Sequence, residues 1–182
     1  RWVDKGPERG ESLVSISTDG RVIEWSMKKG LTFSPLMVLK RVGMQEGVIS
    51  RQASGLSFDF PLGDSTMYLA GTEDGAIHRC SCSYNEQYLE TYAGHTGPVY
   101  RIECSPFWSQ AFLSCSADWT VKLWNQKDQQ AAWSFHSVDL ADVVHDIAWS
   151  PTNATVFASV TGDGRIEIWD LQHSTIDPVI RA

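Results

Sequence analysis

Residues 112–124 read FLSCSADWTVKLW, and three further stretches align with them without a gap: LVSISTDGRVIEW at 13–25, YLAGTEDGAIHRC at 68–80 and FASVTGDGRIEIW at 157–169. Each copy carries an aspartate six residues before its end, at Asp19, Asp74, Asp118 and Asp163, and successive aspartates are 55, 44 and 45 residues apart. Six residues before the aspartate stand Leu13, Tyr68, Phe112 and Phe157; four before it stand Ser15, Ala70, Ser114 and Ser159. Residues two apart in a strand share a face, so each copy predicts a strand with a large apolar and a small residue side by side. The small residue is expected to let a neighbouring sheet approach closely. Val22, Ile77, Val121 and Ile166 follow the aspartate by three, opening a second apolar strand. Asp-Gly lies between the strands in three copies, a hairpin signal because glycine adopts positive φ without strain.

Composition narrows the classes around that repeat. With 42% hydrophobic and 20% charged residues the chain reads as globular rather than disordered. A net charge of −7 opposes general nucleic-acid binding, which needs a basic footprint, and docking on anionic membranes. No apolar run approaches the roughly 18 residues of a membrane helix, and no signal peptide is visible. Cys80, Cys82, Cys104 and Cys115 lack metal-ligand spacing and read as free, mostly buried thiols in a cytoplasmic protein.

The period of about 40–45 residues, with four strands per unit, resembles that of WD40 repeats. The fold expected is therefore all-β: a WD40 β-propeller, with about four blades of a larger one of seven or more. The repeat cores fall near 11–26, 54–80, 94–125 and 143–171. In the third copy Gly94-His95 opens the repeat and Trp124-Asn125 stands where Trp-Asp is usual. The resemblance implies a buried tetrad of His95, Ser116, Asp118 and Trp124, structural rather than catalytic. The other copies depart from it. The fourth keeps Trp169-Asp170 but has Leu140 in place of the histidine; the first ends Trp25-Ser26 and the second in Cys80. Those blades are expected to rely on packing, with Ser17, Thr72 or Thr161 kept two residues before the aspartate. Four blades alone leave two exposed edges, so further blades are expected before Arg1 or after Ala182. The longer first interval predicts a surface insertion around Met27–Gly30 and Gly43–Gly47.

Several runs go beyond blade geometry: SGLSFDF at 54–60, YLAGTEDGAIHRCSCSYNEQYLETYAGHTGPVY at 68–100, FLSCSADWTVKLW at 112–124 and IWDLQHSTIDPVI at 168–180. They are similar to axonemal dynein intermediate chains, most of all to that of the two-headed inner-arm dynein f, over roughly the last 130 residues. The resemblance implies a non-catalytic subunit of the motor in the ciliary or flagellar axoneme. Its propeller would dock on the heavy-chain tail, while a second intermediate chain and light chains bind regions outside this sequence. A WD40 scaffold of another complex, such as a ubiquitin-ligase receptor or a trafficking coat, is the alternative. No GxxxxGK[ST] or GxSxG motif is present, and no catalytic residue, cofactor or metal ligand is predicted. Candidate partner-binding residues are Tyr100, Trp119 and Glu73. Trp119 stands where the other copies have glycine, either covering a neighbouring blade or anchoring a partner, since tryptophan and tyrosine are enriched among interface hot spots.

Overall fold

A computed structural model describes residues 1–8, 10–27, 30–42, 52–136 and 142–182, and among these there is no helix. Sixteen strands form four sheets of four, each an antiparallel meander in chain order. The first holds β1 (Trp2–Asp4), β2 (Glu11–Ile16), β3 (Arg21–Ser26) and β4 (Thr32–Val38). The second holds β5 (Gly55–Asp59), β6 (Met67–Thr72), β7 (Ala76–Ser81) and β8 (Glu90–Ala93). The third holds β9 (Val99–Cys104), β10 (Ala111–Ser116), β11 (Val121–Asn125) and β12 (Trp133–Phe135). The fourth holds β13 (Val144–Trp149), β14 (Val156–Thr161), β15 (Ile166–Asp170) and β16 (Ile180–Arg181). The four aligned stretches are the central hairpins of these blades. Much of the expected insertion, and Leu140, lie outside the described residues.

The repeat columns become cross-strand pairs. Leu13 faces Trp25, Tyr68 faces Cys80, Phe112 faces Trp124 and Phe157 faces Trp169. The last two pairs stack almost parallel, with ring centroids 5.8 and 5.9 Å apart. Buried apolar clusters lie between successive sheets. Leu113, Cys115 and Val121 of the third pack with Val144, Ile147 and Trp169 of the fourth. At the hairpins Gly20, Gly75 and Gly164 have positive φ, and a Cβ on Gly75 would meet the His95 carbonyl oxygen at 2.5 Å. The second hairpin thus lies against the segment leading into the third blade.

First strands of neighbouring blades lie side by side, β5 by β9 and β9 by β13. The Cys104 amide donates to Asp59 Oδ2 at 2.8 Å, and the Trp149 amide donates to Glu103 Oε2 at 2.8 Å. Asp59 and Glu103 hold the same register, two residues from the end of their blades' first apolar run, so one device joins both junctions. Arg1, in the corresponding register of the first blade, forms an ion pair with Asp59. The fourth blade has Ala148 there. Its far face carries Val160, Ile166 and Ile180, all exposed. Val160 and Ile166 stand in registers that the third blade fills with buried Cys115 and Val121.

Candidate interaction surface

In the third blade one chain of hydrogen bonds runs from core to hairpin. The Trp124 indole N–H donates to Ser114 Oγ at 2.8 Å, and Ser114 Oγ lies 2.7 Å from His95 Nε2. His95 Nδ1 lies 2.9 Å from Asp118 Oδ2, which also accepts the Thr96 amide. Asp118 Oδ1 accepts both the amide and the hydroxyl of Thr120. A carboxylate only accepts, so Nδ1 carries the imidazole proton, and the Ser114 hydroxyl donates to Nε2 while accepting from the indole. Burial opposes ionisation of Asp118, yet the hydrogen bonds from His95 and Thr120 hold its carboxyl well below the usual range.

The serine in this chain of bonds is Ser114, not Ser116 as expected from the sequence. Ser116 Oγ donates to the Gly97 carbonyl at 2.9 Å and accepts the Asp118 amide at 3.2 Å. The reason is geometric: Phe112 pairs with Trp124, so the indole reaches the next same-face residue, Ser114. The small-residue column is therefore an acceptor column as well as a space for packing. Trp25 donates to Ser15 at 2.8 Å and Trp169 to Ser159 at 3.1 Å, so the first and fourth blades keep this bond. The second has Ala70 and Cys80 instead. There a fully buried His78 stacks on Tyr88 at 3.7 Å and contacts Thr91 Oγ1, and burial pulls its pKa down to about 4.

The hairpin aspartates act locally in every blade. Asp19 accepts the Arg21 amide, Asp74 the Thr72 hydroxyl, and Asp163 the Thr161 hydroxyl and the Arg165 side chain. The cysteines are free. Burial pushes Cys80, Cys104 and Cys115 up to about 12, which keeps them protonated and unreactive.

The three candidate contact residues separate. Trp119 is 52% exposed, with φ of +70°, the one non-glycine positive φ among the described residues. Its ring also borders a cavity of about 10 Å³ between the third and fourth blades, lined in part by Val121, Asp142, Thr161 and Trp169. It both leans over the neighbour and meets solvent. Glu73 stands at the equivalent hairpin of the second blade, paired with Arg41 at 2.6 Å and bonded to the Ser54 amide. Those contacts, with Ser54 and then Arg41, lower its pKa. Tyr100 is drawn inward, stacked on His145 at 5.3 Å and packed against the core between the third and fourth blades.

Comparison with known proteins bears on this surface. A family model described as the dynein axonemal intermediate chain 3 WD40 domain matches residues 64–181. The chain is 49% identical to dynein axonemal intermediate chain 4 of Rattus norvegicus, over 99% of this chain and 24% of that protein. The Xenopus laevis counterpart is 48% identical, over 99% of this chain and 26% of the relative. Dynein intermediate chain 2, ciliary, of Heliocidaris crassispina is 34% identical, over 98% of this chain and 26% of its own length. The chain thus spans about a quarter of the length of these relatives.

Proposed function

The chain belongs to the axonemal dynein intermediate chains with a WD40 domain, and from that premise we propose that it is a non-catalytic docking module of an axonemal dynein. Its propeller binds the tail of a heavy chain and helps assemble and regulate the motor in the cilium or flagellum. Light chains and a second intermediate chain join through regions outside this sequence.

The observation that carries the docking reading is Trp119. An L-residue in the left-handed region costs about 1–2 kcal/mol, and the sister hairpins avoid that cost with glycine. A half-exposed indole held there is better accounted for by a partner than by the hairpin. The non-catalytic reading is supported by the fate of the Ser–His–Asp arrangement. The His95 side chain is 0% exposed, Ser114 is 0% exposed, and the serine oxygen already accepts the Trp124 indole. A nucleophile so enclosed cannot meet a substrate.

The test is affinity purification of the tagged full-length protein from ciliary extract, followed by quantification of co-purifying chains. Stoichiometric recovery of dynein heavy chain is expected. Recovery of a ubiquitin ligase or a coat complex without heavy chain overturns the proposal.

A further inference from the structure

The end of the propeller opposite the Trp119 hairpin carries a second feature, and the chain contains its own control for it. In the third blade the turn between β9 and β10 is Ser105-Pro106-Phe107-Trp108. Ser105 Oγ accepts the amides of Phe107 and Trp108 at 3.2 and 3.3 Å, and the Trp108 carbonyl accepts the Ala111 amide. In the fourth blade the equivalent turn between β13 and β14 is Ser150-Pro151-Thr152-Asn153. Ser150 Oγ accepts the amides of Thr152 and Asn153 at 3.3 and 3.1 Å, and the Asn153 carbonyl accepts the Val156 amide. The two turns share one hydrogen-bond pattern. One displays polar side chains; the other exposes a phenylalanine by 42% and a tryptophan by 56%. The turn itself does not require aromatics, and exposing two adjacent ones to water is unfavourable.

The surroundings add apolar surface and charge. Gln126, beyond β11, donates to the Ser109 carbonyl and its amide to the Gln110 carbonyl, which places the β11–β12 loop beside the aromatic turn. Gln129 of that loop donates to Glu90 of the second blade at 3.2 Å. Exposed Leu89 adjoins Glu90 at the start of β8, and across residues 82–90 and 126–132 Glu86, Glu90 and Asp128 outnumber Lys127.

We propose that this end is a second docking point, where Phe107 and Trp108 anchor a basic amphipathic helix of another protein subunit. The aromatics take the apolar face of the helix, and the carboxylates of the adjoining segments select lysine and arginine at its edges. The net charge of −7 disfavours nucleic acid and anionic lipid as occupants.

The experiment uses the full-length protein within its native assembly. A photo-crosslinking p-benzoylphenylalanine replaces Trp108, and the crosslinked peptide is sequenced. A helical segment rich in lysine and arginine is expected. A crosslink to an acidic or extended segment, to nucleic acid or to lipid, or no crosslink at all, overturns the proposal. A second variant, Phe107→Thr with Trp108→Asn, grafts the sister turn and so keeps the fold. It is expected to melt as wild type while losing the subunit that carries that segment, by roughly tenfold or more in recovery. Undiminished recovery from a folded double variant also overturns it. Because Trp119 lies at the other end, failure here leaves the heavy-chain reading untouched.

Discussion

Glu103 reaches across the junction between the third and fourth blades to Trp149 twice: its Oε2 accepts the Trp149 amide at 2.8 Å and its backbone carbonyl accepts the indole N–H at 3.2 Å. Asp59 does the first of these for Cys104 at the preceding junction. Apolar packing also joins the blades, but it sets closeness rather than register. A directional bond between equivalent points of neighbouring first strands supplies the register.

Removing that bond leaves a buried donor without a partner, at a cost of about 1–3 kcal/mol. Glu103→Ala is therefore expected to lower stability by that amount in urea melts of the full-length protein. Glu103→Gln keeps an acceptor and is expected to lose less than half as much. Equal losses would show that the side chain acts through packing alone.

Ser114 and Ser116 give a sharper comparison, since both are 0% exposed and two residues apart. Ser114→Ala removes the acceptor of the Trp124 indole and the partner of His95 Nε2, two buried groups at once. A loss of about 2–4 kcal/mol is expected, against about 1–2 for Ser116→Ala, whose partners are the Gly97 carbonyl and the Asp118 amide. Trp124→Ala is expected to cost about 3–5 kcal/mol. Thermal melts that rank Ser116→Ala above Ser114→Ala would reverse the assignment.

The hairpins were legible in the sequence because each repeat column answers to one physical requirement: Asp118 to a turn, Val121 to burial, Gly75 to positive φ and close approach. The acceptor serine was not. Ser114 and Ser116 are both small, buried and hydroxylic, and only the pairing of Phe112 with Trp124 decides which one the indole meets. Asp59 and Glu103 were missed because a lone carboxylate in a strand resembles a solvated residue. Their common register, Gly55 aligned with Val99, was the available signal. The stacking of Tyr100 on His145 was not legible either, since its proximity to a loop in the sequence says nothing of a ring from the next blade.

Asp118 sets the acid response of the third blade. Its folded pKa lies below the unfolded value of about 3.9, so its contribution is fully present above that value and is lost as pH falls through the folded one. Glu103 has the opposite sign: burial raises its pKa despite the Trp149 amide and Arg101, so its ionisation weakens the fold as pH rises above about 4.3. Asp118→Asn is expected to flatten the fall in stability below about pH 4. Chemical denaturation from pH 3 to 6 measures it, and an unchanged slope would assign the acid sensitivity to other carboxylates.

The open face of the fourth blade makes a separate claim. Val160 pairs with Ile166 and Ile168 with Ile180, a continuous apolar surface across three strands. Residues 1–182 expressed alone are expected to bind a hydrophobic dye and self-associate. Val160→Lys with Ile180→Lys should suppress both. A monodisperse fragment that ignores the dye would mean that this face is stable in water.

Trp119→Gly separates docking from folding. Glycine takes the left-handed turn without strain, a gain of about 1 kcal/mol, while the cavity edge over the fourth blade loses a ring already half in solvent. These effects oppose, so the melting temperature of the full-length protein is expected to change little. If the indole anchors the heavy-chain tail, its loss should cost at least about 2 kcal/mol of binding, or more than tenfold in recovery of heavy chain. Glu73→Gln is the matched control at the same end: its carboxylate is already engaged by Arg41 and the Ser54 amide, so a smaller effect is expected. Heavy-chain recovery unchanged by Trp119→Gly, in protein shown to be folded, would place the contact elsewhere on the propeller.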